Sequence, residues 1–173
     1  MQRTSHEDYR VRMQLAMKKQ LRQILQDIPL EDCPSRIVEV GVGEGNFSLA
    51  LKEFYPTLNI TIVDRNLTSF RNNIRKRKKP SSIFKMLEED IKHTSIPSRS
   101  VDWVFYHKLI HHLAAKDILL SLEEASRILR EQGNLVIIDV NPQPQTKAQE
   151  TLLKIYEIEM KIDLQTGRAY EKM

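Results

Sequence analysis

The stretch VEVGVGEGNFSLAL, residues 38–51, decides how this chain is read. A short β-branched run, Arg36–Val40, stops at three glycines spaced two apart, Gly41, Gly43 and Gly45. Helix-forming sequence follows over Asn46–Tyr55 and ends before Pro56. The run reads as a buried strand, and the proline stops the helix. Glycine permits positive φ and lets a ligand approach the backbone with no Cβ in the way. A glycine turn at the carboxyl end of a strand, with free N–H groups of a helix behind it, is where open α/β sheets bind ligands.

Working outward, the alternation repeats. Asn59–Val63 is a second strand ending at Asp64, and Thr68 caps a helix that runs to about Lys79, before Pro80. Ile83–Leu87 is a weaker third strand, ending in Glu88, Glu89 and Asp90, and Val101–Tyr106 is a fourth. Ala115–Arg130 is an amphipathic helix with Gly133 as its terminator, and Leu135–Val140 is a fifth strand. Strands alternating with helices imply a parallel sheet with right-handed crossovers. Residues 6–27 read as a helix whose apolar stripe includes Leu15, Leu21 and Leu25. Lys147–Lys154 is also rich in helix formers, whereas 155–164 fits helix and strand periodicity alike and leans towards helix.

Composition bounds the class. The 173 residues suit one domain, with 40% hydrophobic and 29% charged residues. No apolar stretch approaches the roughly 18 residues of a membrane helix, and the N-terminus lacks a signal-peptide core. Cys33 is the sole cysteine, so neither an intrachain disulfide nor a cysteine cluster for a metal is available. The chain reads as cytoplasmic. A net charge of +4 permits an anionic partner without demanding one.

The glycine turn narrows the ligand. A dinucleotide site has Gly or Ala where Asn46 stands, and Glu44 places negative charge where a pyrophosphate would lie. The Gly-Lys-Ser/Thr of a phosphate loop is absent. A neutral or positively charged ligand suits the acids better. The pattern Glu39-x-Gly41-x-Gly43-x-Gly45 resembles motif I of the class I S-adenosylmethionine-dependent methyltransferases. Further segments resemble that family in order over about residues 36–140: Asp64 19 residues after Gly45, Asp90-Ile91, Ile96-Pro97 through Val101-Asp102, His111-His112-Leu113, and Leu129-Arg130 through Ile138-Asp139.

The resemblance implies a three-layer α/β/α sandwich with a mostly parallel, doubly wound sheet in the order 3-2-1-4-5. It implies S-adenosyl-L-methionine as cofactor. Glu39 would favour its ammonium group, and Gly41, Gly43 and Gly45 would let the backbone close on it. Asp64 would hold the ribose hydroxyls and Arg65 would lie against the adenine. Asp90 would accept from the adenine amino group, with Ile91 against the ring. The layout implied is a single domain over 1–173: an N-terminal helix or lid (1–35), a cofactor-binding core (36–140) and a C-terminal extension (141–173). The family sheet closes with an antiparallel hairpin after strand five, but only 33 residues follow Val140. Either that hairpin is missing or reduced, or the chain is a fragment of a longer protein. Strand five would then be an apolar edge, covered by residues 145–164 or paired with a second copy in a homodimer.

Four other features of the sequence bear on the chemistry. His107 follows strand four, whose end faces the methyl group in this fold, so it is a candidate general base. His111 and His112 read more simply as one packed and one solvated side chain, and no ligand set for a metal is spaced among them. The run RNNIRKRKK, residues 71–79, holds six Lys or Arg in nine residues. It reads as a solvated helix face before a nucleic-acid patch, because no aromatic residues are interleaved. The sequence after strand four, Tyr106-His107-Lys108-Leu109, lacks the Asn/Asp-Pro-Pro-Tyr/Phe of adenine-amino methylation, and Cys33 lies before the first strand, away from any place for an RNA-methylating nucleophile. The expected activity is therefore methyl transfer to a small molecule. The alternatives are an RNA or protein methyltransferase, or a non-catalytic binding module of the same fold.

Overall fold

The computed structural model describes residues 36–140, together with 19, 22, 23, 26, 143, 145–147, 150 and 154. Five parallel strands form one sheet in the order β3-β2-β1-β4-β5. The strands are β1 (Arg36–Val40), β2 (Asn59–Asp64), β3 (Lys85–Glu88), β4 (Val101–His107) and β5 (Leu129–Ile138). Three helices connect them: α1 (Asn46–Phe54), α2 (Thr68–Lys76) and α3 (Ala115–Ile128). This is the sandwich and the strand order that the sequence implies.

Parallel strands are covered on both faces, so the sheet divides two cores. Ile37, Ile60, Ile62, Trp103 and Phe105 point to the face where Phe47, Leu51, Phe70 and Ile74 of α1 and α2 pack. Val38, Val40, Val63, Val104 and Tyr106 point to the other face, against Ala125 and Ile128 of α3. Val40 pairs with both Val63 and Tyr106, and Tyr106 pairs with Ile137. The carboxyl ends of β2, β1, β4 and β5 therefore lie in one row, and the loops beyond them are neighbours.

Several element boundaries differ from the sequence reading. Gly133 does not terminate a helix. α3 ends at Ile128, and β5 begins at once with Leu129, pairing with Val101 before the register slips to Trp103–Asn134. Gln132 is left-handed in this bulged corner, and Gly133 has Arg130 O and Val101 O within 3.0 and 3.2 Å of where a Cβ would stand. Arg130 leaves the helix to pair with Asp102 at 2.8 Å. β3 starts two residues late, because Pro80 opens a 3-10 turn over Ser81–Ile83. Thr68 is not the cap of α2; its N–H donates to Asn66 Oδ1 at 2.9 Å. That helix ends at Lys76, where Lys78 turns left-handed and Lys79 N–H returns to the Ile74 carbonyl, a Schellman closure made without glycine.

Among the described residues no strand lies outside β5, so the strand is an edge, and Leu135 and Ile137 are 37% and 48% exposed. Residues 19, 22, 23 and 26 are helical, and the Arg22 guanidinium lies 5.1 Å above the Phe54 ring. Residues 147, 150 and 154 are helical too. The rest of the 6–27 helix and all of 155–164 lie outside the described residues.

α2 braces the glycine turn from behind. The Phe70 ring sits where a Gly45 Cβ would be, and Gly45 is left-handed at φ +74°. Gly45→Ala is expected to cost about 2–4 kcal/mol, from the left-handed backbone and from overpacking against Phe70. Urea denaturation checks this, and a loss under about 1 kcal/mol would mean the ring moves freely aside.

Candidate cofactor and methyl-transfer site

The site starts from β1. Glu39 alternates onto the α1 face of the sheet and is 1% exposed. Its Oε2 accepts a hydrogen bond from the Ser48 hydroxyl on α1. Burial pushes the Glu39 carboxyl up to about 8, against the opposing effect of Ser48, while the negative charge of Asp64 adds to the rise. Glu39 is therefore mostly protonated at neutral pH, a stored acid beneath the turn. A cation arriving there would favour its ionised form.

The chain leaves β1 through Gly41, whose N–H donates to the Val63 carbonyl at 2.8 Å. Gly43 stands at the tip, left-handed at φ +53°, with nothing within 4 Å of where its Cβ would be. Gly43 is thus the one glycine of the turn whose open side is not filled by any of the described residues. Its N–H donates to Asp64 Oδ2 at 3.1 Å, while Asp64 Oδ1 accepts from Asn66 N–H at 3.0 Å. Two backbone donors hold the carboxylate at the lip of the turn, where it remains partly exposed. α2 fixes the turn on its far side: Asn73 Nδ2 donates to the Glu44 carbonyl and Arg77 Nη2 to Asn46 Oδ1, both at 2.7 Å.

The loop after β3 joins the same lip, since Glu89 N–H donates to the Asp64 carbonyl at 3.0 Å. Asp90 follows and is exposed; its Oδ1 accepts from Lys92 N–H at 2.9 Å. Lys92 Nζ lies 3.7 Å from Asp90 and 2.9 Å from Asp117. Ile91, by contrast, is 1% exposed and packs in the core with Val63 and Val40. Its side chain is turned inward, away from the face that Asp90 presents. Arg65 is exposed beside Asp64.

At the end of β4, His107 stacks on Phe47 at 4.9 Å. Burial lowers its pKa to about 4, with Lys108 assisting and Asp139 opposing. The ring is neutral at neutral pH, and so weak a base suits the role of general base poorly. Leu109 then lies against Gly41, its Cδ1 2.5 Å from where a Cβ would stand. Beyond it, His111 Nδ1 meets Asp139 Oδ1 at 2.5 Å. Asp139 Oδ2 also accepts from Ile110 N–H at 2.7 Å, and Oδ1 from Val140 N–H at 2.7 Å. Burial opposes ionisation of Asp139, but His111 and these backbone donors hold its pKa below the usual carboxylate range. The sequence reading missed this pair, as it missed Ser48, Asn73 and Arg77. The pairing joins residues 28 positions apart and carries no local signal.

Elsewhere, a cleft of about 560 Å³ opens between the amino ends of β1 and β2 and the segment before β4. It lies at the opposite end of the sheet from the glycine turn. Among the described residues no group of three or more His, Cys, Asp or Glu side chains could hold a metal ion, and no helix is long and apolar enough to cross a membrane.

The cradle at Gly43, the acid at the end of β2 and the buried acid in β1 fit a nucleoside carrying a positive charge, which is the chemistry of a sulfonium amino acid cofactor. The comparisons agree. The profile of a methyltransferase domain matches residues 38–137. The chain belongs to that family, the class I S-adenosylmethionine-dependent methyltransferases, and its cofactor is S-adenosyl-L-methionine.

Among solved structures, the chain is similar to the PH0226 protein from Pyrococcus horikoshii, with a TM-score of 0.63, 18% identity, and coverage of 86% of this chain and 59% of that one. It is similar to a SAM-dependent methyltransferase from Archaeoglobus fulgidus, with a TM-score of 0.60, 20% identity, and coverage of 84% and 67%. It is also similar to the mitomycin 7-O-methyltransferase MmcR, with a TM-score of 0.64, 19% identity, and coverage of 85% and 45%. The chain thus spans less than two-thirds of the Pyrococcus protein and less than half of MmcR. No curated protein matches the sequence.

Proposed function

We propose that the chain transfers the methyl group of S-adenosyl-L-methionine to a small molecule. The observation that carries this reading is the unfilled space at Gly43, closed on one side by a carboxylate that Gly43 itself orients. The bound cofactor supplies a methyl on a sulfonium, already activated for displacement. The chain supplies binding and alignment. Asp64 accepts the ribose hydroxyls with the lone pairs that its two backbone donors leave. Glu39, releasing its proton to solvent when a cationic ligand binds, balances the methionine ammonium. Asp90, with Arg65 flanking, takes the adenine end.

The small-molecule reading draws support from the basic helix. Arg71 is tied to Glu88 at 2.7 Å, Arg75 to Asn72 at 2.8 Å, and Arg77 to Asn73 and Asn46. The arginines of the run thus serve α2 and the glycine turn as well as the surface, where Arg71, Arg75 and the lysines stay exposed. Methyl transfer from labelled cofactor into the small-molecule fraction of a cell extract tests the reading; label found only in RNA or protein would contradict it.

Asp64→Ala is expected to weaken cofactor binding at least tenfold, since charge-assisted hydrogen bonds are worth on the order of 1.5–3 kcal/mol each. Calorimetry on the folded variant measures this, and unchanged affinity would remove Asp64 from the site.

A further inference from the structure

A parallel sheet is ordinarily covered on both faces. α1 and α2 lie on one face of this sheet, and of the three connecting helices only α3 packs on the other. The connection from β3 to β4, residues 89–100, forms turns and no helix. No helix between strands therefore roofs the amino ends of β1, β2 and β3 on the α3 side, and the cleft of about 560 Å³ lies there. We propose that this cleft is a second ligand site, and that its ligand is a phosphomonoester with an apolar body. The proposal goes beyond the methyltransferase reading and does not depend on it.

The strand sequences match the gap. A strand buried on both faces reads as a continuous apolar run. β2 instead opens Asn59-Ile60-Thr61, and Ile60 and Ile62 take the α1 side. Asn59 and Thr61 alternate with them and share the face of Val63. Arg36 pairs with Asn59, and Lys85 with Thr61, so all four side chains lie on that face. Val38 makes the inner end of the cleft apolar, and Ile83, Phe84, Ile96 and Pro97 line its sides.

Charge selects the ligand. Arg36 and Lys85 line the cleft, and no acid does. The nearby carboxylates are engaged elsewhere. Asp102 accepts from the Arg36 backbone N–H at 2.6 Å and pairs with Arg130 at 2.8 Å. Glu89, on which Lys85 acts through its charge, accepts from the Ser95 N–H and hydroxyl at 2.7 and 2.6 Å. Among the described residues no ion pair takes up the Arg36 guanidinium or the Lys85 ammonium. Their strands flank β2 and stand about 10 Å apart, so side chains of this length can meet on one group between them. A phosphomonoester carries about 1.5 to 2 negative charges at neutral pH and three strong acceptor oxygens. It answers two cations, where a carboxylate answers one. A guanidinium binds two of its oxygens side by side, and an ammonium with the Thr61 and Ser82 hydroxyls serves the remaining acceptor positions. The Ser100 hydroxyl is already spent on the Pro97 carbonyl, at 2.6 Å. The apolar walls suit an organic body, and the volume that of a small molecule.

The site is separate from the glycine turn. β1 runs from Arg36 at the cleft to Val40 at the turn, a rise of roughly 13 Å through the sheet. A ligand held at the amino ends is therefore neither the methyl donor nor an acceptor in line with it. It binds and is released without chemical change.

The test titrates phenyl phosphate into the full chain and follows backbone amide shifts by NMR. Binding is expected with a Kd below about 1 mM, with shifts at Asn59, Thr61, Ser82 and Lys85 and none at Gly41, Gly43 or Gly45. Arg36→Met and Lys85→Met fall on exposed side chains and leave the strands intact, so each should weaken binding about fivefold or more in a folded protein. Inorganic phosphate lacks the apolar body and benzoate carries one charge, so each should bind about fivefold more weakly or worse. Saturating S-adenosyl-L-methionine should change the affinity by less than about twofold. Glu31 and Asp32 precede β1 in sequence and are the competing occupant within the chain. Joint Glu31→Gln and Asp32→Asn substitution should leave the affinity unchanged. No binding, shifts centred on the glycine turn, displacement by the cofactor, unchanged affinity in both methionine variants, or benzoate binding as tightly would overturn the proposal. An affinity about tenfold higher in the Glu31 and Asp32 variant would also overturn it and give the cleft to the chain's own acids. Tighter binding of a single-stranded oligonucleotide without a terminal phosphate would overturn it in favour of nucleic acid.

Discussion

Gly43→Val is expected to weaken S-adenosylmethionine binding about 100-fold while circular dichroism stays near native. The three glycines of the turn are not equivalent. A Cβ at Gly41 or Gly45 meets Leu109 or Phe70, so substitution there disturbs the protein itself. A Cβ at Gly43 meets nothing within 4 Å. Valine there projects into the space assigned to the cofactor, so the overlap falls on the ligand. Its left-handed backbone adds strain of about 1–3 kcal/mol to the fold, which a domain of ordinary stability survives. Overpacking worth roughly 3 kcal/mol at the contact weakens binding about 100-fold. Calorimetry and circular dichroism on the same sample separate the two effects. Near-native binding by a folded variant would place the cofactor elsewhere.

Glu39→Gln should flatten the pH dependence of stability of the ligand-free protein. The folded carboxyl is pushed up to about 8 by burial, from an ordinary 4.5. Below about pH 4.5 both states hold the proton and the group contributes no slope. Between there and about pH 8 the unfolded chain has released its proton and the folded chain has not. The unfolded state then binds fewer protons, so stability falls as pH rises, by about 1.4 kcal/mol per pH unit. The accumulated cost near pH 8 is on the order of 4 kcal/mol. Glutamine keeps the shape and cannot ionise, so the variant should overtake wild type as pH rises. Denaturation at pH 5 and pH 8 measures the difference between the two proteins, in which the opposite contribution of His107 cancels. Parallel stability curves would show that Glu39 is ionised in the folded chain. A cationic ligand that draws the proton off Glu39 should protect wild type more strongly as pH rises towards 8.

The residues that announce the fold are those whose signal is local. Arg36–Val40 and the glycines read correctly because a β-branched run and a GxGxG turn are contiguous, and Asp64 falls at the end of β2 where the spacing puts it. The misplaced boundaries are where tertiary contacts override local preference. Leu129–Gly133 looks like a helix end with a glycine stop. Asp102 draws Arg130 into the sheet, and the room beside Gly133 is taken by Val101 and Arg130 backbone. Lys78 closes α2 in a conformation that sequence assigns to glycine.

At the site, the placement of the acids was legible from strand ends, but their chemical state was not. That Glu39 holds a proton depends on its burial against α1, which no spacing encodes. The choice of His107 over His111 followed from nearness to the end of β4. The structure adds what nearness cannot give: burial against Phe47 weakens the His107 imidazole, and Asp139 pairs with His111. Ile91 shows the same limit, since the motif places it beside Asp90 in sequence while the core takes its side chain.

Calorimetric titration of the wild-type chain with S-adenosyl-L-methionine, repeated in the presence of excess NAD, tests the central claim most directly. The account predicts one site for the sulfonium cofactor, with S-adenosylhomocysteine displacing it and NAD leaving the titration unchanged. Tighter binding of NAD than of either sulfur compound would contradict it.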